Sequence, residues 1–255
     1  MDFDLVLYQS RDAYEQERLV LLSPAQQRLP AIYLEHDPPQ QDPVKQLHWA
    51  DDERVSIVHV THFNALMWDH RASPVRVIEH GVKPLSDARY SGELERGVVV
   101  VNNLARRGRR LGSDLYLSLR EQVPLTLVGM GSTELGGEGE VANHELPAFM
   151  ARHRFFFHPI RYTSLGLSLI EAMLVGLPIV GLATTELPTV IRNGENGYVD
   201  TRVDRLRDVM QQLIAEPALA RRWGEAARTT ALERFGIDRF VADWTQTFNQ
   251  IARLT

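Results

Sequence analysis

The segment from His158 to Gly181 constrains the fold most, because a turn, a helix and a buried strand follow one another within it. An apolar run, Phe155–Phe157, precedes it, a helix opens near Gly166, and Pro178 separates that helix from the next apolar run. A strand–helix–strand succession of this spacing is typical of a parallel sheet. One carboxylate, Glu171, lies inside the otherwise apolar, small-residue helix. Burying a carboxylate is costly unless it accepts hydrogen bonds. We therefore expect Glu171 to have a partner or to serve a ligand.

The same alternation of apolar and helix-like stretches extends along most of the chain and predicts an α/β protein. About six strands are expected in the second half, enough for one complete doubly wound, Rossmann-like domain. Only three or four are expected in the first half. We expect a partial Rossmann-like domain over residues 1–80, a complete one over residues 81–235, and a helix over residues 236–255 that packs back on the first part. Nine of the predicted strands can be placed in the sequence, beginning at Leu5, Ala31, Val55, Val75, Val98, Leu125, Phe155, Ile179 and Tyr198.

Composition excludes several classes of protein. The chain is 44% hydrophobic and 24% charged, as in soluble globular proteins. Its net charge of -5 argues against nucleic-acid binding, which requires a basic surface. Without cysteine there is no disulfide framework and no thiolate metal site. No apolar run approaches the roughly 20 residues that span a bilayer, and no signal peptide opens the chain. We expect a cytoplasmic protein, and leave open peripheral contact with the inner membrane face.

The segment after His158 closely resembles the donor-binding motif of retaining glycosyltransferases of family 4 (group 1), which have the GT-B fold. That motif reads Pro-x-x-x-Glu-Gly-Phe-Gly-Leu-x-x-x-Glu-Ala-Met-Ala-x-Gly-x-Pro. Aligned without gaps, the matching residues are Pro159, Gly166, Leu167, Glu171, Ala172, Met173, Gly176 and Pro178. The first glutamate of the motif falls on Thr163 and does not match. GT-B enzymes have two Rossmann-like domains facing each other across a cleft, and by that layout the chain is expected to lack the first βα units of the N-terminal domain.

The resemblance implies roles at the donor site. Glu171 would accept hydrogen bonds from the ribose hydroxyls of the nucleotide; the alternative is an acid paired within helix–sheet packing. The donor sugar would meet residues of the preceding loop, namely Thr163, Ser164, Leu165 and Gly166. A hydroxyl at position 163 cannot carry the charge of the family's glutamate, so the sugar contact is weaker or the sugar differs. Gly166 and Leu167 open a helix whose free N–H groups suit phosphate.

A basic stretch directly after the strand at Val98 is the second candidate element. In the family this place reads Gly-Arg-Leu and then Lys-Gly, and the two cations hold the donor diphosphate. Here Asn103 takes the place of that arginine, and Arg110 is nearest to that lysine. Arginine binds phosphate bidentately, so we expect one or two of four arginines to hold the diphosphate together with Asn103. A solvated basic loop is the alternative. The four are Arg106, Arg107, Arg109 and Arg110.

Three further places correspond to family positions. Gly129 and Gly131 resemble a turn on the nucleotide side, although a plain tight turn explains them equally well. Thr185 and Glu186 replace two glycines near the diphosphate, which makes close approach of phosphate less favourable. His36 matches a histidine that meets the donor sugar or acceptor, and we expect it to assist catalysis; a hydrogen-bonded loop histidine is the alternative.

The resemblance implies transfer of a sugar from a nucleotide diphosphate sugar, UDP-, GDP- or another, to a glycan or lipid-linked acceptor, with retention. Bacterial surface polysaccharide or glycoconjugate synthesis is the expected context. We expect no cofactor beyond the donor and no metal; a metal site at His59 and His62 is disfavoured because such histidines often satisfy backbone groups. Two alternatives remain: a catalytically impaired nucleotide-sugar-binding partner or regulator, and a sugar-nucleotide epimerase.

Overall fold

The computed structural model describes residues 3–84 and 86–253 and consists of two compact units. The N-terminal unit comprises the chain up to Gly81 together with the segment from Ile237 onward. The central unit runs from Val82 to Gly236. No helix within the described residues is both long and apolar enough to cross a membrane.

Nine strands and ten α-helices are described in these residues. The strands are β1 (Val6–Tyr8), β2 (Ala31–Glu35), β3 (Val55–His59), β4 (Val75–Val77), β5 (Leu94–Val100), β6 (Leu125–Val128), β7 (His153–His158), β8 (Ile179–Leu182) and β9 (Gly197–Asp200). The helices are α1 (Arg18–Leu21), α2 (His62–Met67), α3 (Leu104–Leu111), α4 (Ser113–Arg120), α5 (Leu146–Ala151), α6 (Leu167–Val175), α7 (Leu187–Val190), α8 (Val203–Ala215), α9 (Pro217–Arg234) and α10 (Ile237–Ala252).

In the N-terminal unit, four parallel strands pair in the order β1-β2-β3-β4. Successive side chains of a strand point to opposite faces, so each strand contributes to two apolar layers. Tyr33 and Ile57 are buried in the layer on one face. Ile32 and Val58 are buried in the other, where Trp244 of α10 packs against them. The last helix therefore completes the core of the N-terminal unit.

The central unit is a five-stranded parallel sheet in the order β6-β5-β7-β8-β9, where the sequence predicted about six strands. From β5 the chain proceeds first to β6 on one side and then to β7 on the other side. Such a reversal of strand order separates the loops at the carboxyl edge of the sheet and opens a crevice there. The topology thus directs a ligand site to the carboxyl ends of β5 and β7.

The core of the central unit lies in two layers, one on each face of the sheet. Val98 and Phe156 contribute to the layer covered by α5, α6 and α7. Their neighbours Val99 and Phe157 contribute to the layer covered by α3, α4 and α8. The near-continuous apolar strands of the sequence follow from this arrangement, because parallel strands covered on both faces have no solvent-facing side.

The arginine-rich stretch is helical, and not the solvated basic loop that the sequence left as an alternative. Residues 104–111 form α3, whose regular backbone is interrupted at Gly108 (φ 58°, ψ -143°). Leu104 and Leu111 at its two ends are buried in the core beneath the sheet. These two apolar anchors hold the segment down, whereas the intervening arginines made it resemble a solvated loop.

Candidate functional site

A cavity of about 500 Å³ opens at the carboxyl edge of the central sheet, as the strand order predicts. The loop after β5 contributes Asn102, and the turn after β6 contributes Gly129 and Met130. Helix α6, which follows β7, contributes Leu167 and Glu171. Three successive βα connections of one sheet therefore meet around a single cavity, and two predicted site elements, the nucleotide-side turn and the helix of Glu171, both reach it.

The Glu171 carboxylate is the acidic group that α6 presents to this cavity. The side chain is half-buried, and burial raises the pKa of its carboxyl group. It forms no hydrogen bond or ion pair with any residue that the structure describes. The internal partner considered in the sequence analysis is therefore not found in this part of the chain. Its oxygens are available to hydrogen-bond donors of a molecule in the cavity.

Gly166 precedes the first turn of α6 as its N-cap residue. Its backbone angles (φ -67°, ψ 137°) suit any residue, and a Cβ built there would come no closer than 3.8 Å, to the Ser168 hydroxyl. Neither the backbone nor the packing therefore requires glycine. The first N–H groups of a helix lack intrahelical partners and attract anions. A missing side chain keeps this helix end open, and the adjacent Leu167 is half-exposed.

The other predicted donor-sugar residues lie in the loop that leads to α6. Ser164 and Leu165 are buried, and Thr163 is half-buried. Together with Gly166 they adjoin the cavity in sequence but do not belong to its lining. The structure thus places the predicted nucleotide-contacting carboxylate in the cavity and the predicted sugar-contacting residues at the end of the same helix.

The four predicted diphosphate-binding arginines fall into two pairs, and none of them lines the cavity. Arg109 forms an ion pair with Asp114, and the Arg110 Nε donates to the Tyr162 carbonyl oxygen at 3.2 Å. Arg106 and Arg107 are exposed, and their guanidinium groups form no hydrogen bond or ion pair with any described residue. The pair that continues α3 beyond Gly108 is therefore held by protein groups, and the pair before it remains available to a ligand.

The turn after β6 is constrained by its own packing. Gly129 and Gly131 have positive φ angles of 127° and 66°. A Cβ on Gly129 would lie 2.8 Å from both the Asn102 side-chain oxygen and the Val101 carbonyl oxygen. Asn102 Oδ1 also accepts a hydrogen bond from the Met130 N–H. Sequence reasoning missed Asn102 as a lining residue, although its place directly after a predicted strand could have indicated it.

Two loops at this carboxyl edge hold non-glycine residues in the left-handed backbone region. Asn103, which follows β5, has φ 54°, and Thr185, which follows β8, has φ 53°. Thr185 thus keeps a glycine-like conformation where the family motif has glycine. Such a conformation costs roughly 1–3 kcal/mol and tends to persist at functional sites. The neighbouring Glu186 is buried and accepts a hydrogen bond from the Thr189 hydroxyl.

In the N-terminal unit, His36 is exposed directly after β2, and its loop is held from below. The buried Asn64 side chain donates to the His36 carbonyl oxygen at 3.2 Å, and the Trp68 indole donates to the Asp37 carbonyl oxygen at 2.9 Å. His80 is close enough to interact electrostatically with His36; burial, and then this interaction, lower the pKa of His80 to about 4. The imidazole of His36 is thus presented on a fixed backbone.

The two histidines considered for a metal site, His59 and His62, lie in different surroundings. His59 is fully buried, and its Nε2 lies 2.8 Å from the Nε2 of His70, so one ring donates to the other. Burial lowers the pKa of His59 to about 3. His62 is exposed at the start of α2. No cluster of three or more metal-ligating side chains occurs within residues 3–84 and 86–253.

Comparison with known proteins identifies relatives of part of this chain. Residues 138–230 match the model of the family described as glycosyl transferases group 1. N-acetyl-alpha-D-glucosaminyl L-malate synthase of Bacillus anthracis is 33% identical over 92 residues, 35% of this chain and 24% of that protein. O-antigen chain mannosyltransferase B of Escherichia coli is 30% identical over 175 residues, 64% of this chain and 44% of that protein. The matched stretches thus span less than half of either relative.

A solved structure extends the likeness to nearly the whole chain. HepE of Anabaena, in complex with UDP-glucose, superposes with a TM-score of 0.77 at 17% identity, over 97% of this chain and 79% of that one. At this identity the likeness concerns the fold, two Rossmann-like sheets of parallel strands. Residues 138–230 thus resemble the glycosyl transferases group 1 family, and the chain has the GT-B type of fold.

Proposed function

We propose that the protein transfers a sugar from a nucleotide diphosphate sugar to an acceptor, with retention of configuration at the anomeric carbon. The observation that carries this proposal is the Glu171 carboxylate, half-buried and without a protein partner among the described residues, at a cavity of about 500 Å³. A cis-diol such as ribose offers two hydroxyl donors to one carboxylate. Hydrogen bonds to a charged group contribute about 1.5–3 kcal/mol each, which is enough to orient a nucleotide.

The diphosphate would occupy the end of α6 at Gly166, where the helix dipole and free N–H groups favour negative charge. Arg106 and Arg107 are the cations we assign to it, because their guanidinium groups are not engaged by the described protein. Breaking the bond between sugar and diphosphate places additional negative charge on the leaving group. Fixed donors aimed at that charge stabilise the transition state more than the ground state.

His36 is the residue we assign to proton exchange near the sugar or acceptor, since it is exposed on a loop with fixed backbone. A glycan or lipid-linked acceptor of bacterial surface polysaccharide or glycoconjugate synthesis fits the names of the relatives, one of which is an O-antigen chain mannosyltransferase. A UDP- or GDP-linked donor is the first choice to test, because a protein of the same fold has been solved with UDP-glucose. No cofactor is proposed beyond the donor.

The experiment measures binding and turnover separately. Calorimetry with UDP- and GDP-sugars tests binding, and release of nucleotide diphosphate tests turnover. Product NMR then reports the anomeric configuration. We expect Glu171→Gln to weaken binding about tenfold or more, and Glu145→Gln, an exposed carboxylate at the start of α5, to leave it unchanged. Failure of the wild-type protein to bind any nucleotide sugar would overturn the proposal.

A second candidate is a nucleotide-sugar-binding partner or regulator with little turnover of its own. The observation that favours it is the altered phosphate and sugar ends of the site: Asn103 and Thr163 replace charged residues of the family motif, and Arg110 is held by Tyr162. Binding without nucleotide release, in the presence of acceptor, would support this candidate. Conversion of the donor sugar into its epimer without release of nucleotide would instead indicate an epimerase.

A further inference from the structure

The loop between β7 and α6, residues 159–166, is tied to the opposite helices by one ionic network. Asp114, in the first turn of α4, accepts hydrogen bonds from both terminal nitrogens of the Arg161 guanidinium, at 2.6 and 2.8 Å. The same carboxylate accepts a third hydrogen bond from Arg109 at 2.7 Å. A planar guanidinium matches a carboxylate in this two-point geometry, which fixes direction as well as distance.

Backbone contacts reinforce this connection. The Arg161 N–H donates to the Arg110 carbonyl oxygen at 3.0 Å, and the Arg161 guanidinium also donates to the Arg109 carbonyl oxygen at 2.6 Å. In return, Arg110 donates from its Nε to the Tyr162 carbonyl oxygen at 3.2 Å. A Cβ at Gly112 would collide with the Pro159 carbonyl oxygen, so the two segments touch backbone to backbone.

The network is more than an exposed surface ion pair. Arg161 is 25% exposed and Asp114 39% exposed, and the hydrogen bond from Arg161 holds the pKa of the Asp114 carboxyl group below its usual range. Isolated exposed ion pairs contribute little, because solvent screens them and two flexible chains must be ordered. Here the Arg161 guanidinium also donates to a main-chain carbonyl oxygen. The side chains of Arg109, Asp114 and Arg161 form one connected network. Such a network can fix a loop where a single pair cannot.

We propose that Asp114 and Arg161 are positioning residues for donor binding, acting through the β7–α6 loop without touching the donor. Thr163 lies two residues after Arg161, and Gly166 opens α6 three residues later. The ion pair therefore sets where the loop delivers Thr163 and the N-terminus of α6. This inference rests on the proposed function. Misplacement of a binding group by about 1 Å can reduce a rate by up to a hundredfold, so a fixed loop has a measurable consequence.

The test compares two ion pairs of the same central unit. Asp114→Asn removes the charge of the pair and keeps the size of the side chain. Its matched control is Glu93→Gln, which breaks the Glu93–Arg152 pair, also at 2.6 Å but 54% exposed on both sides and located at the opposite end of β7 from the loop. We expect Asp114→Asn to raise the donor Kd about tenfold and to lower kcat/KM further, whereas Glu93→Gln leaves both unchanged.

A donor-independent readout keeps this inference separate from the proposed function. Amide hydrogen exchange over residues 159–166, measured without any ligand, is expected to accelerate in Asp114→Asn but not in Glu93→Gln. The exchanged pair Asp114→Arg with Arg161→Asp is expected to restore slow exchange and donor affinity in part, because a carboxylate at position 161 cannot donate to the Arg109 carbonyl oxygen. Unchanged exchange in Asp114→Asn would overturn the positioning role. Accelerated exchange with unchanged donor affinity would overturn it too, and absence of donor binding by the wild-type protein would overturn the proposed function.

Discussion

Two glutamates, one in each unit, differ in whether the protein provides hydrogen-bond partners for their carboxylates. Glu35 ends β2 of the N-terminal unit, is 8% exposed, accepts a hydrogen bond from the Asp37 N–H at 2.9 Å and lies 3.4 Å from His48 Nε2. Glu171 in α6 of the central unit is half-buried and has no such partner among the described residues. A satisfied carboxylate holds a loop in place, whereas an unsatisfied one is available for binding.

The surroundings extend this contrast. In the N-terminal unit, the side chains of Asn64 and Trp68 donate hydrogen bonds to the backbone of the His36 loop. At the edge of the central sheet, Gly166 leaves a helix end uncovered although nothing in the protein requires glycine there. One edge thus directs side-chain hydrogen bonds to the backbone of its own loop, which presents the exposed His36. The other keeps the Glu171 carboxylate and a helix end free at a cavity.

The strongest test of the contrast removes each carboxylate in turn. We expect Glu35→Ala to lower the free energy of unfolding by about 1–3 kcal/mol, because buried hydrogen-bonding groups lose their partner. Glu171→Ala should change it by no more than about 0.5 kcal/mol, since no protein contact of the carboxylate is lost. Urea unfolding of the two variants measures both values. Equal losses would show that the two acids have the same role.

A pair of glycine substitutions sharpens the comparison at the site. Gly166→Ala meets no close atom at an ordinary φ angle, so we expect the fold to be retained while donor affinity falls about tenfold. Gly194→Ala, at φ 81°, is the opposite case: stability falls by about 1 kcal/mol and donor affinity stays the same. Calorimetry and thermal unfolding measure the two effects. Loss of affinity in both variants would point to a general disturbance of the fold.

The pH dependence of donor binding is the next effect. Burial raises the pKa of Glu171 in the free protein, so its carboxylate becomes protonated at a higher pH than an ordinary glutamate. Only the ionised form can accept hydrogen bonds with both oxygens, and donor affinity should therefore decline as pH falls through that raised pKa. Calorimetric titrations across the acidic range measure this decline. A Glu171→Gln variant should show none of it; the same decline in that variant would assign it to another group.

The smallest expected effect concerns the two unengaged arginines. Arg106→Ala and Arg107→Ala should each weaken donor binding about two- to fivefold, the range for exposed charge pairs, and less so at high salt. Arg222→Ala, an exposed arginine of α9, serves as the control and should leave affinity unchanged. Binding measured at two salt concentrations checks the expectation. Unchanged affinity in both the Arg106 and the Arg107 variants would show that the assignment of the diphosphate to α3 is wrong.

Much of the fold could be predicted from the sequence. The alternation of apolar runs predicted an α/β protein with parallel sheets, which is confirmed, because strand runs covered on both faces leave a clear apolar signal. Helix α6 also begins at Leu167, directly after its N-cap Gly166, close to where the sequence predicted its start. The alternative of a solvated loop is wrong for residues 104–111. Four arginines between two leucines suggested it, but Leu104 and Leu111 are buried and the segment is a helix.

The candidate site was predictable in part. The motif around Glu171 could be read directly, because a lone acid in an apolar helix is conspicuous in any sequence. The sequence could not show which of the four arginines are engaged by protein groups and which remain available to a ligand. It depends on Asp114 and Arg161, which are 47 residues apart in the chain and meet only when α4 and the β7–α6 loop come together. Asn102 likewise becomes a lining residue only through its contact with the turn after β6.

The sequence by itself determined the class of fold, the helix that carries Glu171 and the family that residues 138–230 resemble, because periodicity and motif spacing are local properties of the chain. Only the tertiary structure decided which polar groups remain free. Glu35 follows an apolar strand run and Glu171 lies within an apolar helix, yet one is satisfied and the other is not. Whether a polar group finds a hydrogen-bond partner depends on atoms that folding brings together. A donor or acceptor that is paired inside the protein is no longer available to a ligand.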